Sequence, residues 1–145
     1  MYKLFLLVFL VIFFYSGILS AAPTVNKVVY GWQSAGDAQS TKYLNQDWKL
    51  ITHFSWLVIN PNASGGIVTP VGNPPAGLIT KAHSEGVKVT VCVSDFSSVN
   101  MDNFLYSSTA MDTFANNLYN YIQTYNLDGV NFDFENINNT NANDS

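Results

Sequence analysis

The chain has 145 residues, 48% of them hydrophobic, and a formal net charge of −4, which suits one domain with a substantial core. Six basic residues, all lysines, stand against ten acidic ones, and the lysines never form a run. Clustered basic side chains supply most of the affinity for phosphate backbones, so the composition excludes nucleic acid as an expected partner.

Residues 1–22 have the layout of a secretory signal peptide. Lys3 precedes an unbroken apolar run from Leu4 to Tyr15, and small residues cluster from Ser20 to Ala22. The alternative is an uncleaved anchor, but the apolar segment is shorter than the roughly 20 residues that a membrane span needs. We therefore expect a secreted protein, extracellular or in the secretory-pathway lumen, with no membrane contact after cleavage of the signal.

Two further features bear on a secreted chain. Cys92 is the single cysteine, so no internal disulfide is expected, and its neighbours predict a small buried side chain in a strand. Asn62, Asn138 and Asn143 each begin an Asn-x-Ser/Thr tripeptide. Residues 138–145 are polar and rich in asparagine, which predicts a loop or disordered tail.

From residue 24 onward, strand and helix patterns alternate. Segments rich in valine and aromatic residues predict strands, and they occupy 24–33, 51–60, 87–96 and the stretch that begins at Leu127. Helical spacing or capping signals occur between them, around 43–50, in 76–86 with Gly86 as the C-cap, and in 107–126. This order predicts an α/β fold in which crossover helices connect parallel strands.

The third predicted helix carries an apolar stripe. Its members recur at intervals of three and four residues and are Met111, Phe114, Ala115, Leu118, Tyr121, Ile122 and Tyr125. We expect this stripe to pack against the sheet.

The last predicted strand alternates strictly along "LDGVNFDFENI". Val130, Phe132 and Phe134 share one parity, whereas Asn131, Asp133 and Glu135 share the other. Successive side chains of a strand point to opposite faces, so these three polar groups would line one face. A solvated face would show the same alternation, and the pattern alone leaves that alternative open.

The last predicted strand and the segments before it resemble a known protein family. "DGVNFDFE" resembles the Asp-Gly-x-x-x-Asp-x-Glu signature of family 18 glycoside hydrolases, the chitinases and their relatives. The upstream segments resemble the same family in order: "KVVYGW" its first strand, "ITHFSWLVIN" its second, and "LITKAHSEGVKVTVCVS" a helix and its third strand. "YIQTYNLDGV" resembles the helix that leads into the catalytic strand.

The resemblance implies a (β/α)₈ TIM barrel, of which residues 23–137 would form the first four strands and their crossover helices, the N-terminal half. It implies hydrolysis of β-1,4 bonds next to N-acetylglucosamine, with the substrate's acetamido oxygen as nucleophile. By position, Glu135 would be the general acid and Asp133 would orient the acetamido group, whereas Asp128 and Asn131 would support them. The implied partner is an N-acetylglucosamine-containing polysaccharide: chitin, peptidoglycan or a glycoprotein glycan.

The chemistry is consistent with these residue types. A glycosidic oxygen leaves readily only when it is protonated, and a carboxylic acid supplies that proton if burial or a neighbouring carboxylate keeps it protonated. Metal-ligating residues do not cluster in the sequence, so neither a metal nor another cofactor is expected.

Four aromatic residues are candidates for binding sugar: Tyr30, Trp32, Phe54 and Trp56. For Trp32, Phe54 and Trp56, core packing is the alternative that the usual burial of aromatic residues favours. A sugar-stacking surface is the functional interpretation.

The chain departs from the family pattern in three places. Asn131 replaces an aspartate that many members have, and Asp95 lies at the end of the third predicted strand, where the family commonly has glycines. The chain is also shorter than the 200 or more residues of a TIM barrel, so we expect an incomplete fragment with little activity by itself. The alternative function is a catalytically inactive, chitinase-like carbohydrate-binding protein.

Overall fold

The computed structural model describes residues 27–33 and 41–135. The predicted signal peptide, the first three residues of the strand predicted at 24–33, and the tail at 138–145 lie outside the described residues. In the described ranges, no helix is both long enough and apolar enough to cross a membrane.

Five strands and three α-helices form the described part of the chain. The strands are β1 (Tyr30–Gln33), β2 (His53–Pro61), β3 (Ile67–Val68), β4 (Lys88–Val93) and β5 (Gly129–Phe132). The helices are α1 (Ala76–Ser84), α2 (Ser98–Leu105) and α3 (Ser108–Thr124), with 3₁₀ turns at Thr41–Asn45 and Trp48–Leu50.

The strands form one sheet in the order β1-β2-β4-β5, and each neighbouring pair is parallel. The short β3 pairs antiparallel with the end of β2. The predicted α/β fold with parallel strands is therefore confirmed. Within the described residues the sheet does not close on itself, so the complete barrel remains a prediction.

Three local elements differ from the sequence-based expectation. The helix predicted around 43–50 is instead a pair of 3₁₀ turns, because the Asp47 side chain accepts a hydrogen bond from the Lys49 amide at 3.2 Å and starts a new turn. Strand β3 and helix α2 were not predicted. Two residues are too few to show an alternating pattern in β3, and α2 begins at a Ser97 side-chain cap within a polar segment.

The predicted end of α1 is confirmed. Gly86 follows the helix with a φ of +75°, a left-handed conformation that glycine adopts without a steric penalty. Its amide donates a hydrogen bond to the His83 carbonyl at 3.0 Å. The chain then turns directly into β4.

One face of the sheet, here called the covered face, packs against the helices. Its strand residues alternate along β2 and β4 with those of the other face. They are fully or nearly fully buried: Phe54, Trp56, Val89, Val91 and Val93. The helices contribute buried residues to the same cluster: Leu78, Ile79, Ala82, Met101, Phe104, Ala110, Phe114, Leu118 and Tyr121. This cluster is the hydrophobic core of the described chain.

The apolar stripe of α3 is confirmed in part. Phe114, Leu118 and Tyr121 are buried, but Met111 and Ala115 are exposed and Ala110 takes their place in the core. The stripe therefore lies about one residue earlier at its N-terminal end than the spacing predicted.

The other face, here called the open face, has no helix packed on it among the described residues. Register pairs place Tyr30 beside His53, Trp32 beside Ser55, and Ser55 beside Thr90. Paired residues of parallel strands point to the same side of the sheet. Cys92 and Asn131 are paired in the same way, so the side chains from β1 to β5 share one surface.

Candidate functional site

The sheet is curved so that its two edge strands approach each other over the open face. Three strand spacings separate β1 from β5, roughly 14 Å in a flat sheet with strands about 4.8 Å apart. Nevertheless the Trp32 indole Nε1–H donates a hydrogen bond to Oδ1 of Asn131 at 3.2 Å. The open face is therefore a trough, and Trp32 lies across it.

Tyr30 is held in the same trough from both sides. Its hydroxyl lies 3.3 Å from the Thr90 hydroxyl, and its ring stacks on His53 with centroids 5.0 Å apart. The His53 ring is in turn 2.9 Å from the Thr52 hydroxyl through Nδ1. Tyr30 and Trp32, both predicted to bind sugar, thus lie side by side with ring centroids 5.3 Å apart.

Asp133 and Glu135 come directly after β5, at the carboxyl end of the sheet. The Asp133 amide donates to the Val93 carbonyl at 2.9 Å, so pairing with β4 continues one residue past the strand. Both acidic side chains are exposed. Phe132 has the register of the covered face, beside Val93, and its ring lies 5.4 Å from that of Phe134.

The alternation is present in β5 up to Phe132, where the strand ends, and the described residues form no enclosed centre around Asp133 and Glu135. Phe134 is partly buried and packs against the hydrophobic core, whereas Phe132 remains 54% exposed. Asp133 and Glu135 stand at the rim of an open trough, because the described strands curve over only one side of it.

Cys92 lies beneath this rim. It is fully buried, as the sequence predicted, and it is the register partner of Asn131. Burial and, to a smaller extent, the negative charge of Asp133 together raise the pKa of the Cys92 thiol to about 11. The negative charge of Asp133 therefore acts on the thiol that is the register partner of Asn131.

Asp128 directly precedes β5, at the opposite end of the strand from Asp133 and Glu135. Its Oδ2 accepts hydrogen bonds from the Val89 amide at 2.7 Å and pairs with His83 Nε2 at 2.8 Å. Asp128 thus ties α1 to β4 and β5 at the amino end of the sheet. Its support of the site is structural and involves no contact with the other acidic groups.

The prediction that Phe54 and Trp56 bind sugar requires correction. Phe54 is 2% exposed and Trp56 is fully buried, both on the covered face. The Trp56 indole N–H points toward the Gly72 carbonyl at 3.4 Å. Neither ring offers a surface to a ligand, and both follow the core-packing alternative.

Asp95, a departure from the family pattern, is held by its own loop. Its Oδ1 accepts a hydrogen bond from the Ser97 amide at 2.8 Å. Asn100 Nδ2 donates to Asp95 Oδ2 and also to the Pro61 carbonyl, the latter at 2.7 Å. The side chain therefore organises the start of α2.

Two cavities of the described chain lie away from the candidate acidic residues. A cavity of about 330 Å³ is lined by Ile79 and Thr80 of α1 and by Tyr125 after α3, and one of about 260 Å³ lies beside Trp32 and Asp47. Among the described residues, no three His, Cys, Asp or Glu side chains are grouped closely enough to hold a metal ion.

The structure adds three residues to the trough that sequence reasoning missed: Ser55, Thr90 and Cys92. Alternation within β2 or β4 could not have found them, because only the register between strands shows which parity faces Tyr30, Trp32 and Asn131. Small side chains such as these give no sign of a binding role, because they are also ordinary packing residues of strands.

Comparison with known proteins rests on structure alone. No protein-family model and no curated protein sequence matches the chain. A chitinase from Bacteroides thetaiotaomicron is similar with a TM-score of 0.68 and 22% identity, over 78% of this chain and 37% of that chain. The Group IV chitinase of Ostrinia furnacalis, in complex with allosamidin, is similar with a TM-score of 0.63 and 21% identity, over 76% of this chain and 33% of that chain.

The spore cortex-lytic enzyme SleL of Bacillus cereus is similar as well, with a TM-score of 0.62 and 16% identity over 77% of this chain and 28% of that chain. The chain shares its fold with part of the chitinases. It spans about a third of the length of these solved structures.

Proposed function

We propose that the protein is a secreted glycoside hydrolase of the chitinase type, which cleaves β-1,4 bonds next to N-acetylglucosamine. The observation that carries this proposal is the placement of Asp133 and Glu135. Both follow β5 at the carboxyl end of a parallel sheet, where barrels of this kind hold their catalytic groups, and the chain shares its fold with chitinases.

In the proposed mechanism, Glu135 donates its proton to the glycosidic oxygen as the bond to the anomeric carbon breaks. The acetamido oxygen of the substrate forms a bond to that carbon from the opposite side. Asp133 orients the acetamido group and stabilises the positive charge that develops on it. Water, deprotonated by Glu135, then opens the ring intermediate and restores the original configuration.

The trough supplies a surface for the sugar. Trp32 is 55% exposed, and Tyr30 lies beside it with its hydroxyl toward Thr90. Aromatic rings stack on the apolar faces of sugars, and hydroxyl and amide groups pair with sugar oxygens. The fold shared with chitinases supports an N-acetylglucosamine polysaccharide as the proposed sugar.

Activity is proposed to require more strands than the described ones. Asp133 and Glu135 stand at an open rim, and a water-filled trough weakens the electrostatic interactions that catalysis needs. We propose that additional β/α units close the sheet into a barrel and enclose both carboxyl groups. The chain by itself should turn over substrate poorly.

The test is turnover of a chromogenic N-acetylglucosaminide by the full-length protein that contains this chain. Glu135→Gln removes the transferable proton and should reduce kcat by about 10²- to 10⁴-fold. Glu85 is the only other glutamate and pairs with Lys81 on the surface of α1. Glu85→Gln is therefore the matched control, and it should leave kcat unchanged.

A catalytically inactive carbohydrate-binding protein is the second candidate. The open trough with its exposed Trp32 favours it, since such a surface binds sugar without chemistry. A full-length protein that binds chitin oligosaccharides but shows no turnover would establish this alternative. Secretion is tested separately, by whether mass spectrometry finds that the mature chain starts near Ala22 or Pro23.

A further inference from the structure

The hydrogen bond across the trough fixes the orientation of the Asn131 side chain. An indole N–H can only donate, and an asparagine amide accepts only through its oxygen. The 3.2 Å contact from Trp32 Nε1 therefore identifies the atom facing the indole as Oδ1 of Asn131. The amide nitrogen must lie on the side turned away from Trp32.

Nδ2 of Asn131 then remains as a hydrogen-bond donor on the open face. No partner for this nitrogen is found among the residues that the structure describes. Asn131 is the register partner of Cys92. The Asp133 amide continues the pairing with β4, so alternation places the Asp133 side chain on the same face as Asn131. The trough thus carries a neutral donor next to a carboxylate, at a position where an aspartate would only accept.

We infer that Trp32 is a positioning residue: its indole N–H holds the Asn131 amide so that Nδ2 stays available to donate to a ligand carbonyl oxygen. An N-acetyl group carries such an oxygen, so the inference deepens the proposed function and rests on it. Trp32 acts here through Asn131 and not only as a stacking surface.

The physical reason lies in the symmetry of the amide. The oxygen and nitrogen of an asparagine side chain are nearly equal in size, so rotation by 180° exchanges donor and acceptor at little steric cost. Without the indole N–H, Oδ1 can face the ligand, where two carbonyl oxygens would repel each other. A neutral hydrogen bond of ordinary strength corresponds to about a fivefold change in affinity.

The experiment is a double-mutant cycle in the full-length protein, with Glu135→Gln present so that the sugar is not consumed. Calorimetry measures the Kd for tri-N-acetylchitotriose in the parent, Trp32→Phe, Asn131→Ala and the combined variant. Phenylalanine keeps a ring but lacks the N–H. We expect each single change to weaken binding about fivefold, and Trp32→Phe to add less than about twofold once Asn131 is alanine.

Trp48→Phe is the matched control, because it removes an indole N–H that donates to the Tyr43 carbonyl at 2.9 Å on the covered side. The side-chain amide signals of Asn131, followed by ¹⁵N–¹H NMR without sugar, should move in Trp32→Phe and stay in place in Trp48→Phe. This readout tests the hydrogen bond independently of any binding.

Equal losses from Trp32→Phe in both backgrounds would overturn the inference and leave Trp32 as a stacking surface, with the proposed function intact. Unmoved Asn131 amide signals in Trp32→Phe would also overturn it. A parent protein that does not bind the trisaccharide contradicts the proposed function and, with it, the assignment of an N-acetyl ligand.

Discussion

The two faces of the sheet are built from the same strands but differ in burial and in whether helices cover them. On the covered face, Phe54, Trp56 and Val91 are buried under three helices. On the open face, Trp32 and Asn131 meet across a trough with no helix above them among the described residues. Alternation along β2 and β4 separates the two, so side chains of one parity fill the core and those of the other line the trough.

The largest expected effect on stability is on the covered face. Trp56 is fully buried and packs within the core cluster. Trp56→Ala should leave a cavity and lower the free energy of unfolding by about 3–5 kcal/mol. Guanidinium unfolding of the full-length protein, followed by circular dichroism, measures the change.

The matched substitution on the open face is Trp32→Ala. Trp32 is 55% exposed, so the free energy of unfolding should fall by less than about 1 kcal/mol. Equal destabilisation by the two alanine variants would contradict the division of the sheet into a buried, stabilising face and an exposed face.

Asp128 lies at the amino end of β5 and should contribute to stability without affecting catalysis. Asp128→Asn keeps an oxygen for the Val89 amide but removes the charge that pairs with His83. Both side chains of that pair are 31% exposed, so the expected loss is about 1 kcal/mol. kcat should stay unchanged in the same variant, and a large fall in kcat would show that the two ends of the strand are coupled.

The reactivity of Cys92 tests whether the residues beneath the open face are accessible, and its expected change in the native protein is the smallest of these effects. Its pKa rises from 9.0 to about 11 through burial and the charge of Asp133, so roughly one thiol in a thousand is ionised at pH 8. A disulfide reagent should label the native protein slowly at pH 8 and label the unfolded protein completely. Rapid labelling of the native state would show that the thiol is accessible.

The same shift has a consequence at high pH. The folded pKa lies above the unfolded value, so the stability that the neutral thiol contributes is fully present below pH 9 and is lost as pH rises toward 11. Cys92→Ala should flatten this part of the stability profile. An unchanged slope between pH 9 and 11 would contradict the assignment.

Much of the fold could be predicted because its periodic elements are long. The 17-residue α3 carries a helical stripe, and β2 and β4 are rich in valine and aromatic residues. The two-residue β3 is too short for any period to show. Likewise, the Asp47 side chain stops one turn and begins another, a local hydrogen bond that a pattern of apolar residues does not reveal.

For the site, the sequence could predict which residue types take part, but not which side chains of different strands lie on the same face of the sheet. Alternation along one continuous segment predicted that Asn131, Asp133 and Glu135 share a face, although β5 itself ends at Phe132. Phe54 and Trp56 were grouped with Trp32 because all are aromatic, yet the register between β1 and β2 puts them on the opposite face. The contact between Trp32 and Asn131 depends on the curvature of the sheet, which no local pattern encodes.

The three tryptophans offer the most direct test of the central claim, that the open face binds the sugar and the covered face does not. Trp32 lies on the open face, whereas Trp48 and Trp56 are buried in the core. NMR spectra of the three indole N–H groups can be recorded while tri-N-acetylchitotriose is added to the full-length Glu135→Gln variant. We predict that the Trp32 signal alone shifts with saturable dependence on sugar; shifts confined to Trp48 or Trp56, or a binding isotherm that leaves Trp32 unmoved, would contradict the account.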